Sequence, residues 1–188
     1  MSIAPRASAV APADVEAWLA DLGLTPVERA DREHVTSWDL VLDGRRRARL
    51  KITLILDPSL ALVCLAHFAP PINDYFRKSY RLLLRWNDEL PFAKFSVGED
   101  ERPLLTVEIP ANALDRDSLG LALAREVAIA DRFHAESIQW LKPHNWSVDP
   151  PTPAEVDGPG VRLVARYAAE LAEILEAPDG TDGAEATS

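Results

Sequence analysis

The architecture of this chain turns on one stretch, Val35-Thr-Ser-Trp38-Asp-Leu-Val-Leu42-Asp43-Gly44-Arg45-Arg46-Arg47-Ala-Arg49-Leu50-Lys-Ile-Thr-Leu-Ile-Leu56. Its second half alternates: Leu50, Ile52, Leu54 and Leu56 fall on one face, and Arg47, Arg49, Lys51 and Thr53 on the other. A period of two with one polar face describes an antiparallel strand buried on one side. Val35 to Leu42 reads as its partner strand. Asp43-Gly44 between them is a strong hairpin signal, because both central residues of a tight type I′ turn need positive φ. Strands over 35–42 and 47–56 are therefore expected as antiparallel neighbours.

On either side the pattern continues. Val15, Trp18, Leu19 and Leu22 share one face of a short helix opened by Pro12 and ended by Gly23. Asp57-Pro58-Ser59 is turn chemistry. Leu60 to Phe68 is a third strand, apolar on both faces, and it is either deeply buried or turned toward a partner. Asn73 to about Leu90 reads as a helix with two apolar faces, one of them carrying Tyr75, Leu82 and Trp86. Phe92–Val97 and Leu104–Ile109 are strands about a charged loop, and a long helix covers about Asp115 to Leu141. The order is α-β-β-β-α-β-β-α with one further helix. Strands and helices do not alternate singly, so the class is α+β, an antiparallel sheet with helices on one face.

The expected organisation is a flexible N-terminus over 1–10 and one α+β domain over 11–142. A Pro-rich linker over 143–160, an amphipathic helix over 161–177 and a disordered tail over 178–188 follow.

Composition narrows the function. The chain has 188 residues, 20 Lys+Arg and 30 Asp+Glu, a formal charge of −10. That balance disfavours nucleic acid and anionic membrane surfaces as partners. One cysteine, Cys64, excludes an internal disulfide and a cysteine-based metal centre. No stretch approaches the roughly 20 apolar residues that span a bilayer, and the N-terminus does not read as a secretory signal. A cytoplasmic location is expected. Gly-x-Gly-x-x-Gly, phosphate-loop and His-Glu-x-x-His patterns are all missing, so no cofactor and no metal are expected.

The stretch Leu82-Leu-Leu-Arg-Trp86-Asn87-Asp-Glu-Leu90-Pro-Phe92-Ala-Lys94-Phe95-Ser-Val97, with the element order from Asp14 to Leu141 and the acidic Asp131, resembles the YbjN-type branch of the type III secretion chaperone-like fold. The resemblance implies a non-enzymatic homodimer that holds an extended segment of a client or partner protein against its sheet. A sheet face or edge suits that work.

Candidate residues follow from this reading. Leu62, Cys64 and Ala66 on the third strand, with Tyr75, Trp86 and Trp140, are the apolar partner-binding set. Trp146 either pins the linker to the body or serves as an exposed anchor. Arg45, Arg46 and Arg47 form a patch for an acidic partner segment, or else a solvated hairpin that guards a sheet edge. Asp131, His134 and Ser137 lie at i, i+3, i+6 on one helix. They cannot converge on one substrate atom as a catalytic triad does, and a local Asp–His pair is expected instead. Two other readings stay open: a small-molecule binder or enzyme using a sheet–helix cleft, and an accessory subunit docked through the C-terminal helix.

Overall fold

The computed structural model describes residues 10–68, 77–141 and 157–176, with side chains over 10–68, 80–135 and 157–176. The expected flexible N-terminus, most of the Pro-rich linker, Tyr75, Trp146 and the tail lie outside the described residues. Trp140 and Ser137 are described in their backbone alone.

Helix α1 (Pro12–Asp21) starts at its proline and stops at Gly23, whose φ of 73° is the left-handed conformation that favours glycine. The Leu24 N–H reaches the Leu19 carbonyl at 2.8 Å and the Gly23 N–H reaches Ala20 at 2.9 Å, a pair of bonds that satisfies the helix end. Six strands follow: β1 (Glu28–Arg32), β2 (Val35–Leu42), β3 (Leu50–Asp57), β4 (Ala61–His67), β5 (Lys94–Val97) and β6 (Pro103–Pro110). They form one antiparallel sheet in the order β1-β2-β3-β4-β6-β5. Helix α2 (Arg77–Glu89) precedes β5, and α3 (Arg116–Leu141), α4 (Pro159–Arg166) and α5 (Ala172–Leu175) close the described chain.

The α+β class, the antiparallel sheet and the pairing of the two central strands are as expected, with Trp38 opposite Leu54 and Leu42 opposite Leu50. Two details differ. An extra strand, β1, precedes the expected first one. Its sequence Glu28-Arg-Ala-Asp-Arg32 carries no apolar stripe because it is an edge strand, exposed at four of its five positions. The tight two-residue turn belongs to Glu33-His34, with Glu33 at φ 49°, and not to Asp43-Gly44. The chain leaves β2 after Leu42 and rejoins β3 at Leu50, so Arg47 and Arg49 sit in a loop over 43–49.

Every strand in the middle of the sheet is buried on one face. Trp38, Leu40, Ile52, Leu54, Leu62, Cys64, Ala66, Leu105 and Val107 are 2% exposed or less, and α3 packs over β4 and β6. Phe68, Trp86, Phe95 and Phe133 form an aromatic cluster with edge-on and tilted contacts at 5.0–6.1 Å, joining α2 and α3 to the sheet. The segment expected as one C-terminal helix is two short ones on the back of α3. Leu163, Tyr167, Leu171 and Ile174 are buried in the same core. Gly120, near the start of α3, permits this, because a Cβ there would lie 2.3 Å from the Tyr167 Oη.

Candidate functional site

The first candidate surface is the sheet face that no described helix covers. The cross-strand register sets its rows. One row runs across all six strands: Glu28, Asp39, Thr53, Leu65, Thr106 and Lys94. The next holds Ala30, Ser37, Ile55, Val63 and Glu108. Ile55, Val63 and Leu65 are only partly buried there, whereas their strand neighbours on the other face are sealed. The centre of this face is therefore aliphatic and the rim charged. Lys51 and Asp39 pair at 2.8 Å within it. A shallow concavity of about 320 Å³ lies on this face between Ala30, Val35, Ser37 and Ile55, outside any sheet–helix cleft.

The apolar set expected to bind a partner falls elsewhere. Leu62, Cys64 and Ala66 point inward at 0% exposure, and Trp86 is 1% exposed in the aromatic cluster under the Arg132 guanidinium, 4.9 Å from the ring centroid. The folded chain does not present them. A strand that is apolar on both faces gives no signal of which face a helix covers, and it is the alternate residues Val63 and Leu65 that lie on the partly exposed face.

The second candidate surface is the arginine loop. Asp131 of α3 reaches it across the molecule. Its carboxylate accepts the backbone N–H of Arg45 at 2.7 Å, of Arg46 at 2.9 Å and of Arg47 at 2.7 Å. Such charge-assisted bonds are about twice as strong as neutral ones. Gly44 is needed for the approach, since a Cβ there would stand 2.3 Å from the carboxylate. Arg49 donates its N–H to Asp43 Oδ1 at 2.7 Å from a left-handed conformation, φ 52°. Arg47 turns back to the body, with Nε on the Phe68 carbonyl at 3.3 Å and Nη1 on the Ala48 carbonyl at 3.0 Å. Burial lowers the pKa of that guanidinium. Arg45, Arg46 and Arg49 are exposed. The loop brings three of the expected residues together, and Asp131 accepts three of its backbone amides. His134 lies in the same field. Burial and then the charge of Arg47 lower its pKa, while Asp131 acts in the opposite direction.

A third feature was invisible in the pattern. Glu126 of α3 is 0% exposed, and neither carboxyl oxygen has a hydrogen-bond partner among the described residues. Burial pushes its pKa well above the ordinary value and, with the Glu126 charge, does the same to the Cys64 thiol. Among the described residues no group of three His, Cys, Asp or Glu could hold a metal ion, and no helix is long and apolar enough to cross a membrane.

No curated protein matches the chain. A family model does: it covers residues 11–139, from the start of α1 almost to the end of α3, and so spans the whole sheet with its covering helices. This chain therefore belongs to the YbjN family, described as "putative bacterial sensory transduction regulator".

Proposed function

We propose that the protein is a non-enzymatic, cytoplasmic regulatory module that works by binding protein, as a homodimer formed through the uncovered sheet face. The observation that carries this reading is the row Glu28–Asp39–Thr53–Leu65–Thr106–Lys94. Its ends have opposite charge, Glu28 on the β1 edge and Lys94 on the β5 edge, both exposed. A two-fold axis parallel to the strands and passing between β3 and β4 lays Glu28 of one copy over Lys94 of the other. The same axis sets Ile55 against Val63 at the centre. Face-to-face sheets pack in this aligned manner about 10 Å apart, and an isologous contact needs this kind of self-complementary surface.

The regulatory character rests on the family. The chaperone-like variant, in which a client segment is held in an extended form, is the finer form of the same reading. Strand addition to the sheet edges has little support: β1 is charged along its length, and β5 is four residues long.

Sedimentation of the full chain at several concentrations tests the proposal. The expected result is a dimer for the wild type and a folded monomer for Val63→Asp. A wild-type monomer throughout, or a Val63→Asp dimer of unchanged affinity, overturns it.

A further inference from the structure

We propose that the loop over 43–49 is a docking site for an acidic segment of a partner protein, held by the guanidinium groups of Arg45, Arg46 and Arg49. The inference rests on the protein-binding reading above and adds a second, separate surface to it.

Three observations carry it. The first is charge. In a chain of 30 acids and 20 bases, three exposed arginines within five residues make no ion pair among the described residues. The second is rigidity. Asp131 fixes three successive amides, Asp43 fixes a fourth, and the Gly44 N–H bonds the Arg47 carbonyl at 2.9 Å. The start of α4 backs the loop, with Gly160 so close that a Cβ would stand 2.5 Å from the Asp43 carbonyl oxygen. An exposed loop that serves only as a connection has no need of a buried-helix carboxylate and two space-limited glycines. The third is strain: Arg49 keeps a left-handed backbone that an arginine does not favour, and such positions cluster where a side chain must be aimed.

Together these place three charges on a frame whose ordering cost is met before a partner arrives. Guanidinium forks match carboxylates in bidentate geometry. The favoured partner is a short acidic protein segment. A long polyanion such as duplex nucleic acid meets the rest of a chain whose net charge is −10 as soon as it extends past the loop.

The experiment titrates full-length protein into fluorescein-labelled decaglutamate and reads anisotropy at several salt concentrations. Saturable binding that weakens with salt is expected. Arg45→Ala/Arg46→Ala/Arg49→Ala should raise Kd at least about tenfold. Arg81→Ala/Arg85→Ala, which removes two arginines from α2, should leave it within about twofold. Asp131→Asn separates positioning from charge. Removing a negative charge beside the patch tightens binding if net charge alone matters, so weaker binding by the asparagine variant supports the clamped loop and tighter binding overturns it. Val63→Asp should leave the Kd unchanged even where it abolishes the dimer. Loss of peptide binding in that variant, with none in the triple-alanine variant, overturns this inference and leaves the protein-binding reading intact. No saturable binding, or tighter binding of a 10-base-pair DNA duplex or of phosphatidylserine vesicles than of decaglutamate, also overturns it.

Discussion

Asn87 brackets the backbone of Phe95. The Phe95 N–H donates to Asn87 Oδ1 at 2.6 Å, and Asn87 Nδ2 donates to the Phe95 carbonyl at 3.1 Å. The N–H and C=O of one strand residue point to the same side, and β5 has β6 as its neighbour on the other. The asparagine amide therefore does for Phe95 what another strand would do, and it closes that edge of the sheet from α2. The Asn near the helix end and the Phe of the strand therefore act as one joint. Phe92 between them takes φ 61° and lies 77% exposed under the Arg125 guanidinium, 5.4 Å from its ring centroid.

Asn87→Ala leaves both Phe95 groups without a partner in a part-buried site. The expected loss is about 1–3 kcal/mol, read as a lower urea midpoint with unchanged slope. Asn87→Asp keeps the acceptor and loses the donor, so it should fall between. An alanine variant as stable as wild type would show that solvent replaces the amide at no cost.

Asp131 and Gly44 should behave as one unit. Asp131→Asn weakens three hydrogen bonds to a carboxylate, at an expected cost of about 1.5–3 kcal/mol. Gly44→Ala drives a methyl group into the same carboxylate. Because each change disturbs the same contact, the double variant should cost clearly less than the sum of the two, by at least about 0.5 kcal/mol. Additive losses in denaturant unfolding would mean that the loop and α3 are held together by something other than this contact.

Glu126 sets a pH dependence of definite sign. Burial raises its pKa in the folded protein above the ordinary value of 4.5. Below the unfolded value both states carry the proton, and the group takes nothing from stability. As pH rises past it, the unfolded chain releases the proton and the folded chain keeps it, so stability falls by up to about 1.4 kcal/mol per pH unit until the folded group also ionises. Glu126→Met removes that slope and the unpaired oxygens together. Its advantage over wild type should be larger at pH 8 than at pH 5 in urea unfolding at each pH. The same setting keeps Cys64 as a thiol, so a thiol reagent should label it only under unfolding conditions. A stability difference that does not change with pH would mean that water or a neighbour satisfies the carboxylate.

What could be read from the residues depended on how local its cause was. The alternation Leu50, Ile52, Leu54, Leu56 and the stop at Gly23 are consequences of nearest neighbours, and both appear in the fold as read. The extra strand Glu28–Arg32 was missed because an edge strand needs no apolar face, and pattern reading looks for one. Asp43-Gly44 misled because its geometry is set by Asp131, more than 80 positions along the chain. On β4, the run Leu62-Val63-Cys64-Leu65-Ala66 was recognised as a strand, but which face meets α3 is a tertiary fact. The arginines were conspicuous as charges. Which of them stay outside was not, since Arg47 turns in to the carbonyls of Phe68 and Ala48.

The C-terminal helices give the last test. The Pro-rich linker suggests that the chain can be cut after Lys142 to leave a complete domain. The packing argues otherwise. Leu163, Tyr167, Leu171 and Ile174 are 7% exposed or less, and they cover the back of α3. Removing them uncovers several large apolar side chains' worth of surface, each worth about 1.5–3 kcal/mol when fully buried. Tyr167 covers Gly120, whose missing side chain makes that part of α3 a weak helix on its own. Gly160 also backs the arginine loop. A 1–142 chain is therefore expected to unfold several degrees lower than full length and to expose extra apolar surface to a dye such as ANS. If it melts at the full-length temperature without binding dye, the two helices are an addition to the domain and not part of its core.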